Sequence, residues 1–420
     1  MNTNFKKWQR NIFVVLWITY GSIYLIRANF SVAIPGIMAE FGWSRTDLGV
    51  LATVFLWTYA LGHFVNGQLG DRMGSRKMLA IGFGTAVLAT VVFPFSPTLG
   101  VMTLVWAVNG WAQSMGWGPT VKTLSRWFPT AQRGRAGGLL GTSYILGGGA
   151  ASILTGYIII NYGWRAGFWI PAIIVAATTL HWFLRVKESP EDVGLSAAVE
   201  FGSDTPKYPG LKYTLKQSFG NKLVWIMGGG LFFVNLVRYG FLTWAPTIFF
   251  ETQQIGIDKA AYKTIVFPIA GALGALTTGW LSDKLFGSRR APLAALALGL
   301  TAILVTVFAL TLRTASPLVG LAMLAGAGYA INGANVMIIV SAPMDLGTRK
   351  AASSATGFID GMGYIGAGVQ GIVTGWLVDT WGWIAGLGFW VVCAVLGAAL
   401  VATMWNHHAI NPPAFAAEKV

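Results

Sequence analysis

The chain has 420 residues, 55% of them hydrophobic and only 10% charged, with a mean hydropathy of +0.61. A soluble globular domain carries about 25% charged residues, so this composition excludes one, and long apolar runs without alternation exclude a membrane β-barrel. The net charge of +14 points toward nucleic acid only until its places are read. The basic residues gather in alternate short loops, which excludes that partner and orients a multi-span membrane protein with both termini and the central loop in the cytoplasm.

A span needs about 20 apolar residues. Twelve stretches meet that need, roughly 11–36, 46–70, 78–97, 100–124, 136–161, 165–185, 222–250, 262–283, 291–312, 316–342, 352–378 and 383–405. They predict an all-α membrane protein with twelve transmembrane helices. Lys6, Lys7 and Arg10 precede the first stretch, and no small-residue cleavage site follows it. It is therefore read as a span and not as a removed signal. Within it stands Arg27. A charge at the bilayer centre costs at least about 3 kcal/mol and marks function by default. Tyr20 and Tyr24 lie seven and three residues before Arg27, so the three share one helical face. Tyr59 and His63 follow in the second span. Phenol hydroxyls suit the oxygens of an anion, although tyrosine also serves as a packing residue.

The second span ends in Gly67-Gln-Leu-Gly-Asp71-Arg72-Met-Gly74-Ser-Arg76. Tyr144 lies in the fifth span, before the glycine run Gly147–Gly149, which reads as a close helix contact. The only long polar segment, 187–221, carries Glu188, Glu191, Asp192, Asp204, Pro190, Pro206 and Pro209. It is expected to be a cytoplasmic linker between an N-terminal six-helix bundle, 1–186, and a C-terminal one, 222–406, with a cytoplasmic tail over 407–420. Arg238 comes 211 residues after Arg27, at the matching place of the seventh span. Gly279-Trp-Leu-Ser-Asp283-Lys284-Leu-Phe-Gly287-Ser-Arg289 repeats the earlier loop, with its Asp 212 residues after Asp71. Thr374-Gly375 through Trp381-Gly382-Trp383 repeats Thr155-Gly156 through Tyr162-Gly163-Trp164. Repeats of this kind place a substrate site near the midplane and make transport a rocking of one half on the other.

Asp360 and Tyr364 share the eleventh span. Asp360 is the one carboxylate read as lying near mid-membrane. It can hold a substrate ammonium, carry a proton, or pair with a lysine or arginine. Cys393, the single cysteine, is read as a small core residue. The four histidines, His63, His181, His407 and His408, have no metal-ligand spacing. No acid/base pair, activated nucleophile or ATP-binding motif appears, so the chain reads as neither an enzyme nor a pump, and no cofactor or metal is expected. Two arginines in matching half-repeats predict one site for a small anion. Each offers a permanently charged planar fork that fits two phosphate oxygens.

The two glycine–aspartate loops resemble the cytoplasmic loop motif of the major facilitator superfamily, after its second and eighth helices. In that likeness Gly67, Asp71, Arg72, Arg76, Gly279, Asp283, Lys284 and Arg289 form conformational-switch loops, which latch the cytoplasmic ends in one state. Tyr20-x-x-x-Tyr24-x-x-Arg27-x-Asn29-Phe30 and Leu236-Val-Arg238-Tyr-Gly-Phe-Leu-Thr-Trp244-Ala-Pro246 resemble the first and seventh helices of the organophosphate:phosphate antiporters. Gly116-Trp-Gly-Pro119, Gly147-Gly-Gly149, and Thr356-Gly357-Phe358 with Gly363-Tyr364-Ile-Gly366 extend the likeness over nearly the whole chain. It implies a major facilitator fold of two pseudo-symmetric six-helix bundles. It also implies phosphoryl binding by Arg27 and Arg238, inorganic phosphate as counter-substrate, a monomer, and a place in a cell inner membrane. Ala28, His63 and Tyr144 stand where the glycerol-phosphate carriers have Lys, Lys and His, so this site has less fixed positive charge. A proton-coupled symporter of sugar acids is the alternative, since Arg27-Ala-Asn and Gly74-Ser-Arg76 also resemble the anion:cation symporters. A membrane sensor of phosphorylated sugars is a third reading.

Overall fold

In a computed structural model the described residues are 3–195, 220–287, 289–312, 317–345 and 349–406, and they are overwhelmingly helical. Among the described residues, fifteen α-helices run in chain order. They are α1 Thr3–Ser22, α2 Asn29–Phe41, α3 Arg45–Met73, α4 Ser75–Val92, α5 Leu99–Gln113, α6 Trp117–Trp127, α7 Thr130–Tyr162 and α8 Ala166–Arg185, then α9 Lys222–Gln253, α10 Ile257–Thr264, α11 Val266–Phe286, α12 Arg290–Thr311, α13 Pro317–Asp345, α14 Arg349–Trp381 and α15 Trp383–Ala402. Among the described residues, nine helical segments are long and apolar enough to cross a membrane. The expected spans 46–70, 100–124 and 352–378 fall outside that set. Two of their helices carry polar residues, α3 with His63 and Asn66 and α14 with Asp360 and Gln370, while the third is broken into pieces of 15 and 11 residues, α5 and α6.

Three expected single helices are broken. The eighth span divides at Ile265, between α10 and α11. The first span divides into α1, a 3-10 turn Ile23–Ile26, and α2. The fourth divides at 114–116, where Asn66 Nδ2 donates to Ser114 Oγ at 2.7 Å and Ser114 Oγ donates to Trp111 O at 2.6 Å. A side chain that captures the last-turn carbonyl competes with helix continuation. Large side chains such as Leu88, Leu104, Ile173, Leu276 and Leu310 are exposed on these helices. In water such surface would be a liability, whereas here it is the lipid-facing belt.

The chain forms two compact units. One comprises Met1–Asp204, Gly240–Ile269 and Gly368–Gly386, and the other Thr205–Tyr239, Ala270–Ala367 and Leu387–Val420. Their boundaries cross α9, α11, α14 and α15, so they do not coincide with the sequence halves at 1–186 and 222–406. One end of each of those helices packs with the N-terminal helices, for reasons given below. In the first unit Trp127 and Trp182 are fully buried. Their indole N–H groups donate to Lys187 O at 2.9 Å and Arg76 O at 3.1 Å, so each has its polar tip satisfied. Gly147 meets the Gly21 carbonyl where a Cβ would not fit, which is the close contact that the glycine run predicted.

Candidate functional site

The candidate residues gather in two places, one in each unit. In the first unit the helix break sets the geometry. Arg27 closes the 3-10 turn, with its N–H and that of Ala28 both donating to Tyr24 O, at 3.2 and 2.9 Å. The guanidinium carbon lies 4.2 Å from the Tyr59 ring centroid, 5.3 Å from Tyr24 and 5.6 Å from Phe55. The aromatic set continues outward. Tyr20 packs on Tyr24 at 6.1 Å and on Trp117 at 4.9 Å, Tyr24 on Tyr144 at 6.0 Å, and Tyr59 edge-on to His63 at 4.4 Å. Arg27, Tyr20, Tyr24, Tyr59, His63 and Tyr144 are therefore one cluster. Phe55 was not expected. It lies one turn before Tyr59 on α3, a spacing that could have shown it. Faces of aromatic rings hold a guanidinium by its charge.

In the second unit Arg238 stands on α9, which runs on unbroken through it. Its Nε donates to Asn332 Oδ1 at 2.8 Å, and its guanidinium lies 5.4 Å from the Tyr239 ring. Tyr239 packs on Tyr364 at 6.1 Å. Asp360 is exposed and stands within electrostatic reach of Arg238. Arg238, Asp360 and Tyr364 thus form a second cluster, and Asn332 is the member that sequence reading missed. The two arginines are alike in register but not in backbone, because only the first sits at a helix break.

Half of the residues of the expected switch loops have described side chains. Gly67, Asp71, Arg72 and Asp283 fall outside the residues whose side chains are described. Arg76 bonds inside its own unit: its N–H donates to Glu188 Oε1 at 2.9 Å, and its Nε to Phe183 O at 2.5 Å. Lys284 lies 4.9 Å from the Trp280 ring and Arg289 Nε donates to Phe286 O at 3.1 Å, both within the second unit. Gly279 has open space around it and receives Arg290 Nη1 on its carbonyl at 3.3 Å.

The ionic cluster that does tie distant helices together lies elsewhere, at the start of α3. Arg45 pairs with Glu251 of α9 at 2.8 Å and with Asp379 of α14 at 3.2 Å. Asp379 also accepts from the N–H groups of Arg45 and Thr46, at 3.1 and 2.7 Å, and from Thr46 Oγ1 at 2.7 Å. Its carboxylate thereby caps α3 and meets the positive end of the helix dipole. Burial pushes the Asp379 carboxyl up, but the Thr46 and Arg45 donors outweigh it and hold the group below the ordinary carboxylate range. Beside this cluster α3 and α14 touch backbone to backbone. A Cβ on Gly49 would collide with the Gly371 carbonyl, and one on Gly371 would lie 2.5 Å from Gly49 O. Thr53 Oγ1 donates to Gly368 O at 2.6 Å and accepts from Ile372 N–H at 3.2 Å. This joint is why one end of α9 and of α14 belongs to the first unit.

The joint has a repeat signature in the sequence. Glu40 and Glu251 are 211 residues apart, the spacing of Arg27 and Arg238. Glu40 accepts from Trp164 Nε1 at 2.7 Å and pairs with Arg165. Glu251 accepts from Trp383 Nε1 at 2.8 Å, but Ile384 stands where the repeat would put an arginine, and Arg45 supplies the cation instead.

An all-helical chain with lipid-facing helices and an arginine at the matching place of each half defines a two-bundle membrane carrier. The sequence profile of the Major Facilitator Superfamily matches residues 16–354. The chain is 31% identical to the glycerol-3-phosphate transporter of Bacillus subtilis (strain 168), over 97% of this chain and 94% of that one. It is 29% identical to a probable hexose phosphate transport protein of Chlamydia pneumoniae, over 96% and 92% of the two. It is 30% identical to the membrane sensor protein UhpC of Escherichia coli (strain K12), over 94% and 91%. In fold it is similar to a bacterial homolog of the human lysosomal transporter Spinster, with a TM-score of 0.82 at 16% identity over 94% of this chain and 96% of that one. The chain belongs to the major facilitator superfamily and, within it, to the organophosphate:phosphate antiporter family.

Proposed function

We propose that the protein takes up an organic phosphate or phosphonate across a cell inner membrane in exchange for inorganic phosphate, as a monomer with both termini in the cytoplasm. Arg27 and Arg238 each contribute a guanidinium to the phosphoryl group. Tyr20, Tyr24, Tyr59 and Tyr144 offer hydroxyls around it, and Tyr364 and Asp360 meet the organic part. The observation that carries this reading is that an arginine stands at the matching place of each half, Arg27 against the faces of Tyr24, Phe55 and Tyr59 and Arg238 held at Nε by the Asn332 amide. An arginine stays charged and offers a planar fork that fits two phosphate oxygens. The relatives named for glycerol-3-phosphate and hexose phosphate transport support the substrate class.

Rocking of the bundle 1–186 against the bundle 222–406, joined by the linker 187–221, exposes the site to each side in turn. We infer that the Arg45 cluster, at the start of α3, acts as a closure on the external side. The protein is a carrier and not an enzyme, with no cofactor in its cycle. The test is exchange in proteoliposomes. Vesicles loaded with phosphate take up labelled glycerol-3-phosphate or an aminoalkyl phosphonate faster than empty ones, and Arg27→Lys or Arg238→Lys removes most of that uptake without loss of expression. Uptake indifferent to internal phosphate but driven by a pH gradient would replace this reading with proton symport. No uptake of any substrate, with binding retained, would replace it with a sensor.

A further inference from the structure

Arg238 has five N–H donors, and how they are shared decides how the side chain meets an anion. A guanidinium can offer its side edge, with Nε and one terminal nitrogen, or its end, with both terminal nitrogens. In this protein Nε is engaged by Asn332 Oδ1 at 2.8 Å. The orientation of that amide is set independently. Asn332 Nδ2 donates to Gly328 O, one turn earlier on α13, at 2.9 Å. A flipped amide would set its amino group against the Arg238 donor and its oxygen against the Gly328 carbonyl, so the two contacts enforce one another.

A third helix makes room for this arrangement. On α11, a Cβ at Gly271 would run into Asn332 Nδ2 and would come within 3.2 Å of Gly328 O. The absence of a side chain at 271 is what lets the amide lie flat between α11 and α13. Asn332 stands in Ala330-Ile331-Asn332-Gly333-Ala334, an otherwise apolar run where a polar group must find partners. Both of its partners are identified, and one of them is the arginine.

We propose that Asn332, seated by Gly271, is a positioning residue that turns the end of the Arg238 fork toward the phosphoryl group. The proposal rests on the reading of Arg238 as a phosphate ligand. Asn332 does not touch the substrate. It takes up the Nε donor and fixes the plane of the guanidinium, so that both terminal amino groups face the anion together. It brings no negative charge of its own, which a carboxylate at the same place would do.

The test is equilibrium binding of inorganic phosphate to the purified, detergent-solubilised full-length protein, as a double-mutant cycle. Arg238→Lys keeps the charge but removes Nε. Asn332→Ala in the unaltered background is expected to weaken phosphate binding about tenfold, the loss typical of one charge-assisted hydrogen bond. In the Arg238→Lys background the same substitution is expected to have no further effect, because there is no fork left to turn. Gly271→Ala, which displaces the amide without touching it chemically, is expected to show the same dependence on residue 238. A purely structural role for Asn332 would weaken binding equally in both backgrounds, and that result would overturn the proposal. So would unchanged binding in Asn332→Ala. If Arg238→Lys itself leaves phosphate binding intact, the phosphate reading of Arg238 falls first, and a separable result marks which idea failed.

Discussion

Replacing Arg45 by Gln is expected to loosen the external closure by a calculable amount. The side chain makes two ionic contacts, to Glu251 at 2.8 Å and to Asp379 at 3.2 Å, and all three groups are about a quarter exposed, at 27%, 22% and 21%. Hydrogen bonds to charged groups contribute about 1.5–3 kcal/mol when buried, while exposed ion pairs contribute about 0.2–1. A quarter-exposed pair falls toward the lower figure, about 0.5–1 kcal/mol each. The backbone contacts from Arg45 and Thr46 to Asp379 survive the substitution, so they drop out of the difference. The total is about 1–2 kcal/mol, a shift of roughly five- to thirty-fold toward the opened form. Spin labels at Ala39→Cys on α2 and Lys259→Cys on α10, in a Cys393→Ala background, report the separation of these ends by pulsed electron resonance. The long-distance population is expected to rise by that factor in Arg45→Gln, and Glu251→Gln added to it is expected to contribute little more. An unchanged distance distribution would refute the assignment of this cluster as a closure.

Three further outcomes follow from the same coordinates. Tyr59→Phe keeps the ring 4.2 Å from Arg27 and is expected to bind phosphate within about twofold of normal, whereas Tyr59→Leu is expected to lose about three- to tenfold, the range of a partly desolvated cation–π contact. Equal losses in both would assign the contribution to the hydroxyl. Asp360→Asn is expected to reduce competition by an aminoalkyl phosphonate more than by the matching compound without the amine, and equal loss of both would exclude an ammonium partner for Asp360. The closure is also expected to ignore pH over the physiological range. A carboxyl held below its ordinary value stabilises fully above that value and loses its contribution as pH falls through the lowered one. The Asp379 contacts therefore persist down to about pH 4, and the same spin labels would show opening only below it. Opening between about pH 6 and pH 7 would show that another group controls the joint.

The sequence made the class, the number of spans and most of the first cluster legible, because each rests on a local rule. Length and hydropathy identify a span, and seven- and three-residue spacings bring Tyr20 and Tyr24 to Arg27. Residues that meet only across helices were harder. Asn332 is one of two amides, with Asn335, in a mostly apolar helix, and nothing in its own neighbourhood names Arg238 as its partner. The helix break before Arg27 is announced only by Gly21-Ser22, where Ser22 Oγ donates to Thr19 O at 2.9 Å, a signal masked because Ile23–Ile26 is as apolar as the turns before it. The latch was sought in the basic loops, where charges are dense, while the ionic joint uses scarce carboxylates at the other end. Its clue was present in the equal spacing of Glu40 to Glu251 and Arg27 to Arg238. Ile384 hid it, because the second copy lacks its own cation and borrows one from α3.

The contact of α3 with α14 at Gly49 and Gly371 also bears on what the protein must not do. A carrier sits in a membrane that stores energy as a proton gradient, and any thread of rotatable polar groups would short-circuit it. Here two backbones lie against each other, and the hydroxyl of Thr53 is committed on both sides, to Gly368 and to Ile372. At Gly49 and Gly371 themselves there is no side chain whose picosecond flicker could admit water. The contact can be breached only when two whole helices draw apart, a collective motion of microseconds or longer. Electrical tightness and slowness of opening are then one property, set by the size of a hydrogen atom where a methyl group would otherwise be.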